Sequence, residues 1–215
     1  MTDPYGFRIV GEHGVTQVDQ DYKNLAVCAS GSLSPPSDPT TYINVVYTGI
    51  NPIIAFSCPQ TYVVAGPHII SGNTWTFRLR APAGGSFTIK YWIFDEPPGL
   101  GLPTHGLVVR NEAGDITFRS DHRYMRIANW VQQSFNVNTE TFALDVGRSY
   151  AVVCTGDTLF NPPNGEGPWP MYQIGFKVNG GGTINKSWPI VGSTVIGFIP
   201  FVTQFLIVDV TGYPT

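Results

Sequence analysis

A stretch near the start of this chain returns in its middle, and that recurrence constrains the fold more than any other feature. Tyr5-Gly-Phe-Arg-Ile-Val-Gly-Glu-His-Gly14 aligns without gaps on His105-Gly-Leu-Val-Val-Arg-Asn-Glu-Ala-Gly114. Gly6/Gly106, Glu12/Glu112, Gly14/Gly114 and Asp21/Asp121 are identical. Apolar positions also match: Phe7 with Leu107, Ile9 with Val109, Val18 with Phe118, Leu25 with Met125 and Val27 with Ile127. Farther on, Val45–Gly49 aligns with Val152–Gly156, Trp75–Leu79 with Ile174–Val178, and Phe87–Asp95 with Phe205–Asp209. The order holds while the offset drifts, as it does when strands persist and loops change length.

The repeated unit has a period of two. Tyr5, Phe7 and Ile9 alternate with Gly6 and Arg8, a turn follows, and Val15–Val18 returns, which predicts a hairpin. In the second copy Asn111–Gly114 turns between Leu107–Val109 and Ile116–Phe118, and both aligned glycines stand where a turn needs positive φ. Further strands are expected at Leu25–Cys28, Ile43–Tyr47, Pro52–Phe56, Tyr62–Val64, Thr74–Leu79 and Phe87–Phe94, with turn residues between them. No stretch carries a helical period over three turns. The sequence therefore predicts an all-β chain of two tandem antiparallel β-sandwich domains related by internal duplication. Asp95-Glu-Pro-Pro-Gly-Leu-Gly-Leu-Pro-Thr104 marks the boundary, because its prolines oppose strand pairing. The first repeat is placed at 1–100 and the second at 101–215.

Charged residues are only 13% of the chain, against roughly 25% in ordinary globular proteins. So little charge suits a surface largely covered in a permanent assembly. A net charge of -3, with Lys and Arg scattered, leaves no electrostatic footprint for nucleic acid. The apolar run Val195–Val208 is short and holds Gly197, Pro200 and Gln204, so no membrane span is expected; nor does the start read as a signal peptide. Cys28, Cys58 and Cys154 are odd in number and lie in apolar contexts, the pattern of buried free thiols in a reducing compartment.

Motifs for chemistry are missing. The chain has no Gly-x-Ser-x-Gly, no Cys-x-x-Cys, no His-Glu-x-x-His and no calcium-loop spacing. His13, His68, His105 and His122 are dispersed, and Asp19/Asp21 faces Arg119 in the other copy, so Asp21 and Asp121 are expected to serve turns. No catalytic, metal or cofactor residue is assigned, and the chain is expected not to be an enzyme. Candidate contact residues are aromatic. Trp169, between two prolines, and Tyr172 lie on the proline-stiffened segment Asn161–Tyr172, where rigid aromatics anchor partners at small entropic cost. The alternative for Trp169 is a lid folded back over the core, which is the default. Trp130, beside Asn129 and Gln132-Gln133, fits either sugar stacking or a core position, with the core as the default.

The repeated opening resembles the start of small virion proteins of tailed bacteriophages from the tail-tip and tail-fibre region, roughly Tyr-Gly-Leu-x-Val-x-Asn-x-x-Gly. Tyr5-Gly-Phe-Arg-Ile and His105-Gly-Leu-Val-Val-Arg-Asn-Glu-Ala-Gly carry it, with Leu25-Ala-Val, Met125-Arg-Ile and Tyr91-Trp-Ile-Phe-Asp later. Gly11 replaces the turn Asn that Asn111 keeps, and His105 replaces the Tyr that Tyr5 keeps. The resemblance implies a structural component of the virion tail, made in the host cytoplasm, with other tail proteins and further copies of itself as partners. A host glycan or protein is a further expected partner. A receptor-binding module and a capsid decoration protein are the alternatives.

Overall fold

The computed structural model describes residues 8–10, 16–19, 24–34, 41–81, 86–97, 105–134, 140–155, 159–160, 171–173, 175–180, 182–187, 190–192 and 202–215. None of these residues is helical. The first half runs β1 (Arg8–Val10), β2 (Thr16–Asp19), β3 (Ala26–Leu33), β4 (Ile43–Thr48), β5 (Ile53–Ser57), β6 (Val63–Ser71), β7 (Thr74–Arg80) and β8 (Ile89–Asp95). The second half starts with β9 (Val108–Arg110), β10 (Ile116–Arg119), β11 (Ile127–Ser134), β12 (Glu140–Ala143) and β13 (Tyr150–Cys154). It continues with β14 (Leu159–Phe160), β15 (Met171–Gln173), β16 (Gly175–Asn179), β17 (Thr183–Ser187), β18 (Ile190–Gly192) and β19 (Val202–Asp209). Each first-half strand expected from the sequence is present. So is the turn at Gly114, whose φ of 85° favours glycine and whose amide donates to the Asn111 carbonyl. The Gly11–Gly14 turn lies outside the described residues.

Two antiparallel six-stranded sheets carry the fold. One has the order β11-β19-β13-β5-β8-β3, the other β12-β17-β16-β6-β7-β4. Each sheet takes three strands from either side of residue 100, and the two trios meet edge to edge. In the first sheet Val152 faces Phe56 across that seam; in the second, Phe176 faces Val63 and Gly175 faces Val64. Alternate side chains of both sheets meet in a single apolar core that includes Phe56, Val63, Phe77, Leu79, Ile93, Val152, Phe176, Ile184 and Phe205. The core therefore crosses the boundary that the prolines mark. Full burial of each such side chain contributes about 1.5–3 kcal/mol.

The first sheet is also covered on its outer face. Ala55, Trp92, Phe94, Ala151, Val153, Val208 and Val210 form a second cluster there, with Leu25, Met125 and Tyr213 packed against it. Apolar residues on both faces explain the unbroken runs Ile53-Ile-Ala-Phe and Tyr150-Ala-Val-Val, which lack the alternation of a one-sided strand. The leading ends of the two edge strands meet as well. Val27 N–H donates to the Arg123 carbonyl and Met125 N–H to the Leu25 carbonyl, both at 2.8 Å, and Ala26 bridges Tyr124. At that end the hydrogen-bonded order closes into a ring. The C-terminal segment is tied down by Trp92 Nε1, which donates to the Pro214 carbonyl at 2.8 Å.

Both halves use the same strand order, β3-β8-β5 against β11-β19-β13 and β4-β7-β6 against β12-β17-β16. Two of the later sequence matches fall on strands that do not correspond in this order. Val45–Gly49 lies on β4, an edge strand, whereas Val152–Gly156 begins on β13, an inner one; β7 corresponds in place to β17, not to β16. Short Val-Val-x-Thr-Gly stretches suit any strand that runs into a turn, so their likeness does not fix position. The match of Phe87–Asp95 with Phe205–Asp209 does fall on corresponding strands, β8 and β19.

Candidate functional site

A cleft of about 400 Å³ opens between the sheets beside β5, β6, β7 and the end of β13. Its wall is aromatic: the rings of His68 and Trp75 lie 5.2 Å apart and those of Trp75 and Phe77 6.2 Å, the latter stacked. Asn51, Arg78 and Thr155 supply polar groups around an otherwise apolar lining that includes Ile54, Ala65 and Cys154. A register shift between Gly66 and Ile69 sets His68 beside Trp75. Only the folded hairpin reveals this pairing, because the sequence gives no sign of the bulge.

Burial disfavours the thiolate of the cleft thiol. Burial pushes Cys154 up to about 12, and it also raises Cys28, against the opposing hydrogen bonds of Tyr47 and the Asp95 carbonyl. A neutral thiol attacks poorly. All three cysteines are free, as expected, but only Cys58 is a buried residue, while Cys28 and Cys154 are half-buried. No group of three His, Cys, Asp or Glu side chains could hold a metal ion among the described residues. Burial raises Tyr47 too, with Cys28 and Asp95 adding to the shift.

Two buried carboxylates at the ends of corresponding strands perform structural work. Asp95, closing β8, accepts hydrogen bonds from the amides of Ile50 (3.0 Å), Asn51 (2.9 Å) and Glu96 (2.8 Å). It thereby pins the β4–β5 turn. Gly49 in that turn has no room for a side chain, since a Cβ would lie 1.9 Å from Asp95 Oδ2. Asp209, closing β19, accepts from Arg148 Nη1 (2.7 Å), the Thr211 amide (2.8 Å) and Arg126 Nη2 (3.4 Å). Burial alone would raise the Asp209 carboxyl, but these Thr211, Arg148 and Arg126 contacts outweigh it and hold the group below its ordinary range.

Asp121 stands in the turn after β10; its counterpart Asp21 lies outside the described residues. Arg119 grips Asp121 with two bonds, Nε to Oδ1 at 3.0 Å and Nη2 to Oδ2 at 2.7 Å, and this contact lowers the carboxyl. Tyr124, stacked 4.9 Å from Phe118, accepts the Arg119 amide through its hydroxyl at 2.6 Å. His122 stacks on Tyr124, and burial followed by the Arg119 charge lowers it, so it stays uncharged near neutrality. Lys186, fully buried, pairs with Glu140 at 2.8 Å inside one end of the sandwich. Each cluster satisfies its own charges, and none places a base against a nucleophile.

The aromatic contact candidates separate. Trp130 is 60% exposed on edge strand β11, beside Ile127 at 54%, so the core position taken as its default is not what it occupies. It stands opposite Leu206 of β19, which packs on the outer cluster and not in the inter-sheet core. Trp169 lies outside the described residues. Tyr172 lies on β15, paired through its backbone with Phe160 and Ile190 in a three-stranded sheet, β14-β15-β18, that belongs wholly to the second half. Apolar residues are exposed on the first half as well, where Val46, Thr76 and Ile69 form one row across β4, β7 and β6, with Val46 at 65% and Ile70 nearby at 50%.

No family model matches this chain, nor does any curated protein or solved structure. Among the described residues no helix is long and apolar enough to cross a membrane.

Proposed function

We propose that this chain is a non-enzymatic structural component of a bacteriophage virion, at the tail tip or on a tail fibre, contributing to assembly and host attachment. The observation that carries this reading is exposed apolar surface on a weakly charged scaffold. Val46, Ile69 and Ile70 on one sheet and Ile127 and Trp130 on the edge of the other stand uncovered, in a chain with 13% charged residues. Apolar groups arranged so gain most when neighbouring subunits cover them. The resemblance of Tyr5–Gly14 and His105–Gly114 to phage tail proteins supplies the setting. The partners are then other tail proteins and further copies of this chain, met in the host cytoplasm during assembly. Gold-labelled antibody against the chain, applied to intact particles, tests the proposal: label at the distal tail is expected. Label on heads would favour a decoration protein, and unlabelled particles would overturn virion membership.

The aromatic wall His68–Trp75–Phe77 favours a second reading, in which the cleft takes part of a host-surface glycan by stacking on sugar faces. Trp75→Ala would then abolish adsorption while particles still assemble; adsorption at the wild-type rate would reject it.

A further inference from the structure

The seam between the halves has a symmetry that neither half needs for its own pairing. In the two small hairpins, Arg8↔Asp19, Ile9↔Val18 and Val10↔Thr16 recur as Val108↔Arg119, Val109↔Phe118 and Arg110↔Ile116, the same positions one hundred residues on. Both hairpins skip the same residue, Gln17 in one and Thr117 in the other. The edge strands repeat this behaviour: β3 bulges between Val27 and Ala29 against β8, and β11 between Ile127 and Asn129 against β19. Bulges are specific local features, and two pairs in matching places do not follow from strand order alone.

The faces agree as well. Ile54 and Phe56 point into the inter-sheet core and Ala55 into the outer cluster; Val152 and Cys154 point into the core, and Ala151 and Val153 into the outer cluster. Ile54 lies opposite Ile93 and Val152 opposite Ile207, while Ala55 lies opposite Trp92 and Val153 opposite Leu206. The pairing Val152↔Phe56, continued by one residue, sets Ala55 against its own counterpart Val153. Leu25 meets its counterpart Met125 in the same way, through the 2.8 Å amide-to-carbonyl bond. Counterparts that face each other define a twofold axis, and an interface on such an axis is self-complementary.

We infer that β5 presents a self-complementary pairing edge whose fitting partner is a second copy of the same half, and that this chain is two copies of one self-pairing unit joined in tandem. Residues of β5 therefore substitute for those of β13 in register.

Grafting Ile53-Ile-Ala-Phe56 onto positions 151–154 of the full chain (A151I, V152I, V153A, C154F) tests this, because the Phe at 154 would enter the cleft that Cys154 lines. The reciprocal graft places Ala-Val-Val-Cys on 53–56. The control carries the same four residues in reverse order (A151F, V152A, V153I, C154I), which moves the Phe into the outer cluster at fully buried Ala151 and leaves an Ala in the core at 152. Melting followed by circular dichroism is expected to give at least one in-register graft a cooperative transition within about 10 °C of the parent and above that of the reversed graft. If both in-register grafts melt no higher than the reversed one, or if the reversed graft melts like the parent, the inference is overturned.

Discussion

The two halves pair their strands alike and differ in what decorates them. Asp95 pins its turn through backbone amides, whereas Asp209 holds one backbone amide, that of Thr211, together with the guanidinium groups of Arg148 and Arg126. At the matching bulges stand Cys28, half-buried, and Ala128, exposed. On the outer face of the second sheet, the first half shows Val46, Thr76 and Ile69, while the second shows Thr141 bonded to Asn185. The three-stranded sheet β14-β15-β18 is confined to the second half. Strand order and register are held by the shared core, so they are costly to change; exposed groups carry no such constraint.

The largest effect should come from the two caps. Asp95→Ala strands backbone amides that cannot move away, and should cost about 3 kcal/mol or more in urea unfolding. Asp209→Ala releases Arg148 and Arg126, whose side chains are half-exposed and can turn to water, and should cost about 1–2 kcal/mol. Equal losses would break the contrast between the two halves.

Acid sharpens the same contrast. The Asp209 carboxyl is held below its unfolded value near 3.8, so the stability it contributes is fully present above that value and is lost as the pH falls through the lower folded one. Asp209→Asn should flatten the stability-against-pH curve below about pH 4. An unchanged acid limb in that variant would show that the carboxylate contributes nothing through its charge.

Smaller effects are expected where the halves already differ. Cys28→Ala places at one bulge the residue that occupies the other, and should cost no more than about 1 kcal/mol. Trp130→Ser should leave monomer stability within about 0.5 kcal/mol. The same change should weaken self-association measured by sedimentation, and a loss of stability without any change in association would assign Trp130 to the fold instead.

Much of the scaffold was legible in the sequence, for local reasons. The hairpin around Gly114 needs only neighbouring residues, and the first-half strands are separated by turn residues. The correspondence of β8 with β19 was visible because both end in a buried aspartate after an apolar run. What failed was everything set by distant neighbours. Val45–Gly49 resembled Val152–Gly156 although one strand is at an edge and the other inside, and Trp130 gave no sign that its strand would be outermost. The cleft was invisible for the same reason. His68 meets Trp75 through a bulge, and Cys154 joins the same lining from the other half.

One core runs through both halves, and differential scanning calorimetry on the full chain is the decisive measurement of that. A shared core predicts one transition whose calorimetric and van't Hoff enthalpies agree. Two resolved transitions, each with about half the total enthalpy, would mean that the halves unfold separately, and would contradict the account.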